Sequence, residues 1–216
     1  MSGDFAGAII NALHLILGFG AAAAAVIALG AGKGGRWHRR AGWVFFAGMT
    51  VAAVTAWMFM IARPLPLAMI QATTALYALG TAILAINPQW RAARTGEIVF
   101  LGLILVVLAG IAITGMRLTQ SGGQVPPGPI AFGLIIAYFA ALDVRFLFLT
   151  KPTPASRVRR HALRMALACS ETVRAPLLTF ADELGLPFPA IVFGTFLLVP
   201  LIYFAFAQRA VPARQA

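Results

Sequence analysis

The stretch RRHALRMALACSETVRAPLLTF, residues 159–180, decides how the rest of the chain is understood. It has the length of a membrane span, yet its interior carries Arg164, Glu171 and Arg174. At membrane depth three such charges cost about 8–10 kcal/mol, whereas the large apolar residues around them return only about 2–4 kcal/mol. If this segment crosses a bilayer, its charged face must therefore point at other helices, at trapped water or at a bound group.

The remainder of the 216-residue chain is strongly apolar, because 61% of its residues are hydrophobic and only 11% are charged. A typical soluble domain is about 25% charged. Seven segments are long and apolar enough to span roughly 30 Å of hydrocarbon. They run over residues 5–29, 41–62, 67–86, 97–116, 130–150, 161–180 and 189–208. The sequence thus predicts an all-α fold: a polytopic membrane helical bundle of seven transmembrane helices, forming one domain over residues 1–216.

The net charge of +11 is concentrated in alternate linkers. The segments after spans 1, 3, 5 and 7 are basic, while the opposite linkers hold only Arg63 and Arg117 as cations. This positive-inside pattern predicts an N-terminus outside and a C-terminus in the cytoplasm, and it argues against nucleic acid as a partner. The lipid bilayer is the predicted partner instead. The side chains predicted to contact anionic phospholipid headgroups at the cytoplasmic face are Lys33, Arg36, Arg39, Arg40, Arg157, Arg159 and Arg160.

A group of polar residues is predicted to lie at membrane depth. Asp143, on the fifth span, shares the depth of Arg164 and has the opposite charge. Because an isolated buried charge is costly, we expect these two side chains to form an ion pair. Ionisable residues inside a membrane are candidates for a functional site. The predicted intramembrane polar site comprises Asn11, His14, Asp143, Arg145, Arg164, Glu171 and Arg174.

Within that group, the first span contributes His14 and, three residues before it, Asn11. His14 lies near the midplane, at about the depth of Glu171, so a contact between the two is geometrically allowed. Such a pair would pass a proton or bind a polar ligand. The alternative is an ordinary hydrogen bond between helices.

A thinner polar line follows one face of the third span. It indicates either a cavity open to the outside or routine hydrogen bonding between helices. The residues in this line are Gln71, Thr74, Tyr77 and Thr81.

The other two histidines, His38 and His161, are predicted to reach the cytoplasmic end from different helices. Two histidines at one depth are potential axial ligands of haem b, with Arg39, Arg160 or Arg164 near the propionates. Both lie near the interface, however, so contacts with lipid phosphates are the alternative. Apart from haem b, no cofactor or metal is indicated.

Three short motifs resemble those of a family of uncharacterised bacterial multi-pass membrane proteins, known only as a domain of unknown function. The motifs are Lys33-Gly34-x-x-x-His38-Arg39-x-x-Gly42, Asp143-x-Arg145 and Arg160-His161-x-x-Arg164-Met165, which accompany His14 in the first span. The resemblance covers nearly the whole chain and implies a multi-pass architecture in the bacterial inner membrane, without implying an activity. Glu171, Arg174 and Pro176 do not match the family pattern.

The short linkers and the lack of a recognised catalytic motif favour a membrane protein without catalytic machinery of its own. The first functional hypothesis is therefore an accessory or scaffolding subunit that associates with other membrane subunits. A small transporter or proton-coupled protein, using His14, Glu171 and Arg174, is the second. A haem b electron-transfer protein is the third. In a topological alternative, residues 161–180 lie flat on the cytoplasmic surface and six spans remain.

Overall fold

The computed structural model describes residues 2–62, 65–125 and 127–209, and within these ranges it contains helices and no strand. The predicted all-α class is confirmed. The helices are α1 (Ser2–Gly30), α2 (Arg36–Ala62), α3 (Pro66–Ile86), α4 (Ala93–Gln120), α5 (Pro127–Val144), α6 (Pro154–Thr179) and α7 (Phe188–Arg209), with a π-helical turn (Arg145–Leu149) directly after α5.

Six of the helices, α1 to α5 and α7, are long and apolar enough to cross a membrane. Their outward faces carry exposed large apolar side chains such as Ile16, Val106 and Leu201. A soluble protein of this size does not expose so much apolar surface, whereas lipid solvates it. The helices therefore fit a multi-pass membrane protein.

The seventh long helix, α6, lies inside the bundle. It packs antiparallel to α3. Nδ1 of His161 lies 3.0 Å from the carbonyl oxygen of Ala82, whereas the Gln71 amide, eleven residues earlier on α3, donates to the carbonyl oxygen of Glu171, further along α6, at 3.3 Å. It also packs against α7 and, more lightly, against α1. The polar face of α6 is thus turned toward other helices, and Arg164, Glu171 and Arg174 are all at most 1% exposed.

Several helices extend beyond the predicted spans. Helix α6 begins at Pro154 rather than at residue 161, because the side chains and main chains of Thr153 and Ser156 form a reciprocal capping box and a proline occupies the first turn. The basic residues at positions 157–160 are consequently helical. Helix α4 continues to Gln120 instead of ending at residue 116, which places Arg117 in its last turn, where a cation is favourable next to the helix dipole.

Close contact between α1 and α2 depends on a small residue. A Cβ atom added at Gly48 would lie 2.9 Å from the carbonyl oxygen of Leu17 and 3.0 Å from the Cβ of Ala21. Ala21 itself is 1% exposed. Small residues of this kind allow membrane helices to approach closely, and the contact fixes α1 against α2.

Candidate functional site

The first half of α6 contains a buried ion-pair network centred on Asp143 of α5. Arg164 donates from Nη2 to Oδ1 of Asp143 at 2.5 Å, which confirms the predicted pair. Arg160 donates from Nε to the same oxygen at 3.1 Å. The prediction that Arg160 contacts lipid headgroups is wrong. Its side chain is buried because one turn of helix separates it from Arg164 and both face the same carboxylate.

Two further residues complete this network, and the sequence analysis did not assign either to the site. Glu97 of α4 accepts a hydrogen bond and ion pair from Nη1 of Arg160. The hydroxyl of Tyr77 of α3 donates to Oδ2 of Asp143. The polar line on the third span was the signal for Tyr77, while Glu97 was recognised only as the start of a span. We call Tyr77, Glu97, Asp143, Arg160 and Arg164 the arginine network.

The arginine network balances its own charge, because it contains two arginines and two carboxylates. Aromatic rings add to this compensation. The Arg164 guanidinium carbon lies 4.5 Å from the centroid of the Phe139 ring, and that of Arg160 lies 4.3 Å from the centroid of Phe146. Arg164 also donates to the carbonyl oxygen of Phe139 at 3.0 Å. Four helices thus cooperate to hold charges that none could carry alone in lipid.

The second charged group of α6 is the pair Glu171 and Arg174, which we call the midplane pair. Nη1 of Arg174 lies 2.6 Å from Oε1 of Glu171, and Nε donates to the hydroxyl of Thr195 on α7 at 2.7 Å. The rings of Phe132 and Phe196 lie 4.8 and 3.6 Å from the guanidinium carbon. The pair is therefore enclosed by aromatic rings and by the Thr195 hydroxyl of α7.

For His14, the structure supports the alternative of an ordinary hydrogen bond between helices rather than a contact with Glu171. Nδ1 of His14 lies 3.0 Å from the carbonyl oxygen of Ala52 and 3.0 Å from the hydroxyl oxygen of Thr55. Helix α1 packs mainly on α2, and Glu171 has a nearer partner on its own helix. Asn11 lies on α1 one turn before His14 and is exposed.

The polar line on α3 is mostly hydrogen-bonded within the bundle. Besides Tyr77, the hydroxyls of Thr74 and Thr81 donate to carbonyl oxygens one turn earlier on α3, at 2.8 and 2.7 Å. The Gln71 amide donates to α6, as described above. All four residues are buried, so of the two alternatives for this line the structure supports hydrogen bonding rather than a cavity open to the outside.

A cavity of about 250 Å³ lies among the ends of α1, α2, α3, α6 and α7, and both His38 and His161 line it. We call it the histidine cavity. Nδ1 of His38 lies 2.9 Å from the carbonyl oxygen of Ala28, and Nδ1 of His161 lies 3.0 Å from that of Ala82. A carbonyl oxygen only accepts hydrogen bonds, so Nδ1 is the protonated nitrogen of each ring. In both neutral imidazoles the lone pair is therefore on Nε2.

The rest of the histidine cavity combines an apolar wall with cations at one edge. Met165 and Phe206 contribute to the wall, while Lys33 and Arg39 are the cationic residues. Lys33 donates to the carbonyl oxygens of Ala28 and Leu29, at 3.2 and 2.8 Å, and so satisfies the C-terminal end of α1. The cavity is thus suited to an apolar group that has an anionic edge and accepts ligation by imidazole.

The other members of the predicted headgroup set lie at the same end of the bundle as the histidine cavity. Arg157 is half-buried with its guanidinium carbon 5.5 Å from the centroid of Phe146, and Lys33 is half-buried as described. The exposed members of the predicted headgroup set are Arg36, Arg39, Arg40 and Arg159. Their contact with lipid headgroups stays a prediction.

Within the described residues, no group of three or more histidine, cysteine, aspartate or glutamate side chains is arranged to hold a metal ion. No protein-family model, no curated protein sequence and no solved structure matches this chain.

Proposed function

We propose that the protein is a seven-span integral membrane protein of the bacterial inner membrane, with its N-terminus outside and its C-terminus in the cytoplasm. Two observations support the seventh span. Helix α6 is 26 residues long, which is enough to cross the hydrocarbon, and its charged face is covered by α3, α4, α5 and α7. A helix lying flat on the surface would instead expose such a face to water.

We further propose that this membrane protein binds haem b between His38 and His161 and transfers electrons. The observation that carries the proposal is the shared cavity, in which two imidazoles from different helices each have Nδ1 bound to the main chain and the Nε2 lone pair left for a ligand. Hydrogen bonds of this kind fix the orientation of a ligating histidine and increase its basicity. Haem b, when bound, would supply one-electron chemistry.

The protein residues would have separate roles around that group. His38 and His161 would hold the iron, and the carbonyl oxygens of Ala28 and Ala82 would keep both rings in position. Arg39 and Lys33 would compensate the anionic propionate edge. Met165 and Phe206 would exclude water from the apolar face.

We prefer haem binding to an accessory or scaffolding role because a scaffolding role does not require a cavity with two oriented histidines. The scaffold hypothesis was based on the short linkers and on the lack of a recognised catalytic motif in the sequence. The transporter hypothesis used His14 together with Glu171 and Arg174, whereas in the structure His14 contacts α2 and Glu171 pairs with Arg174 on its own helix.

A visible absorption spectrum of the full-length protein tests the haem proposal. The protein should be produced in a bacterial host supplied with a haem precursor and purified in mild detergent. We expect a Soret band that shifts on reduction, and we expect His38→Ala and His161→Ala each to lose the six-coordinate spectrum. His14→Ala is the matched control, because it removes the third histidine outside the cavity, and it should keep the spectrum. A correctly folded protein without a Soret band would refute the proposal.

The topology is tested separately with reporters fused at the C-terminus and in the linker between α6 and α7. The proposal places the C-terminus in the cytoplasm and Asp182 of the linker outside. A periplasmic signal from the C-terminal fusion would show that α6 does not cross the membrane.

A further inference from the structure

A second cavity, of about 540 Å³, lies on the other side of α6 from the histidine cavity. It is formed by the π-helical turn after α5, the linker to α6, the first turns of α6 and Tyr203 of α7. We call it the arginine cavity, because Arg145, Arg159, Arg160 and Arg164 line it together with Lys151. Asp143 lines the same cavity and holds its two buried arginines.

The two buried arginines keep hydrogen-bonding capacity that the protein does not use. Arg160 is 7% exposed and Arg164 is 1% exposed. Nη2 of Arg160, and Nε and Nη1 of Arg164, are buried without a hydrogen-bond partner among the described residues. A buried donor without a partner costs about 1–3 kcal/mol, and more when the group is charged. These N–H groups therefore favour binding of a further hydrogen-bond acceptor that is not part of the protein.

The charges around the cavity indicate the sign of the charge on that acceptor. Five cationic side chains line the cavity, and only the carboxylates of Asp143 and Glu97 compensate them, so three positive charges are left over. The excess positive charge is carried by three exposed side chains at the rim of the cavity, those of Arg145, Lys151 and Arg159. An anion entering from the aqueous side would meet the rim first and the buried guanidinium groups afterwards.

The fold adds a helix N-terminus and hydroxyl groups to the same place. Helix α6 starts at this cavity, so the positive end of its dipole lies there. Thr150, Thr153 and Ser156 line the cavity. The hydroxyls of Thr150 and Ser156 donate to the carbonyl oxygens of Arg145 and Thr153, whereas the hydroxyl of Thr153 accepts from the amide of Ser156 and can still donate to a ligand. Oxyanions of phosphate accept hydrogen bonds from guanidinium and hydroxyl groups in such arrangements. The cavity is also lined by a π-helical turn, and such turns are frequent at functional sites.

We propose that the arginine cavity binds a phosphate-type oxyanion. The source is either the headgroup of an anionic phospholipid in the adjacent leaflet or a free phosphate from the aqueous side. Arg160 and Arg164 form the inner wall of the site, and Arg145, Lys151 and Arg159 attract the anion. The proposal is independent of haem, since no residue lines both cavities.

The test uses the full-length protein, stripped of lipid in a neutral detergent and titrated by native mass spectrometry. Three probes are compared: phosphatidylglycerol, phosphatidylcholine and inorganic phosphate. We expect saturable binding of one phosphatidylglycerol or one phosphate per protein, and at least a tenfold preference for phosphatidylglycerol over phosphatidylcholine. Saturation by phosphatidylglycerol alone identifies a lipid headgroup, and saturation by inorganic phosphate identifies a soluble anion. Binding of neither anion would overturn the proposal.

A pair of double variants locates the site. Lys151→Gln with Arg159→Gln removes two exposed charges at the rim, and we expect anion affinity to fall at least tenfold. The matched control is Arg91→Gln with Arg94→Gln, which removes two exposed charges outside the cavity at the same end of the bundle. This control should change the affinity less than threefold. Equal losses in the two variants would show general attraction by surface charge and would overturn the proposal. The Soret band, which reports only the histidine cavity, should not change in either variant.

Discussion

Helix α6 carries two buried charged groups, and they are compensated in different ways. The arginine network draws its five members from α3, α4, α5 and α6. The midplane pair is formed by two residues three apart on one helix, with support from the Thr195 hydroxyl and from the rings of Phe132 and Phe196. Both groups are neutral overall. The network depends on the position of four helices, whereas the pair depends mainly on local helix geometry.

This difference indicates how each group contributes to the protein. A compensated pair on one helix can enter a membrane together and tolerates joint replacement by apolar residues. A network that joins four helices positions them relative to one another, and three of its members line the arginine cavity. We therefore expect the network to be more sensitive to single substitutions than the midplane pair is.

The largest effect is expected for Asp143→Asn. The substitution removes the carboxylate shared by Arg160 and Arg164 and leaves buried positive charge without compensation. Breaking a buried pair in this way costs about 3–5 kcal/mol. The free energy of unfolding, measured by titrating the detergent-solubilised protein with a denaturing detergent, should fall by that amount. Asp182→Asn, in the exposed linker before α7, is the control and should stay within about 0.5 kcal/mol of wild type.

The midplane pair should show a smaller effect that depends on whether one or both partners are replaced. Glu171→Gln leaves the Arg174 charge buried, and we expect a loss of about 3 kcal/mol. The double substitution Glu171→Leu with Arg174→Met removes both charges and should recover most of that loss. The same unfolding titration checks both variants. A double variant less stable than Glu171→Gln would mean that the pair, like the network, positions its neighbours.

The helical bundle could be predicted from sequence, since runs of apolar residues and alternate basic linkers depend on composition alone. The pair of Asp143 and Arg164 could also be predicted, because depth along two helices and opposite charge were sufficient. The burial of Arg160 could not be predicted, since it depends on which helix faces the first turns of α6. That information is in the packing of α4, which brings Glu97 to Arg160.

The histidine cavity illustrates the same limit. Sequence placed His38 and His161 at one end of the bundle, but the orientation of the rings is set by carbonyl oxygens of Ala28 and Ala82. Main-chain acceptors of this kind leave no signal in the sequence. For His14, depth alone allowed a partner on α6, whereas helix adjacency determined a partner on α2.

A moderate effect is expected for Tyr77→Phe, which keeps the ring and removes the hydroxyl that donates to Asp143. Hydrogen bonds to charged groups contribute about 1.5–3 kcal/mol, so the loss should lie near 2 kcal/mol. Because the arginines still neutralise Asp143, the effect should be smaller than that of Asp143→Asn. Combining the two substitutions should give less than the sum of their losses, since they act on one carboxylate. An additive result would separate Tyr77 from the network.

The smallest effect on stability is expected for Arg145→Gln. Arg145 lies two residues from Asp143 but on the exposed rim, and neither carboxylate of the network binds it. Its charge is solvated, so the free energy of unfolding should change by no more than about 0.5 kcal/mol. Anion affinity of the arginine cavity should nevertheless fall, because Arg145 belongs to the uncompensated charge at the rim. A variant that loses stability without losing anion affinity would place Arg145 inside the arginine network. It would then contradict our assignment of Arg145 to the charged rim, outside the buried and charge-balanced interior.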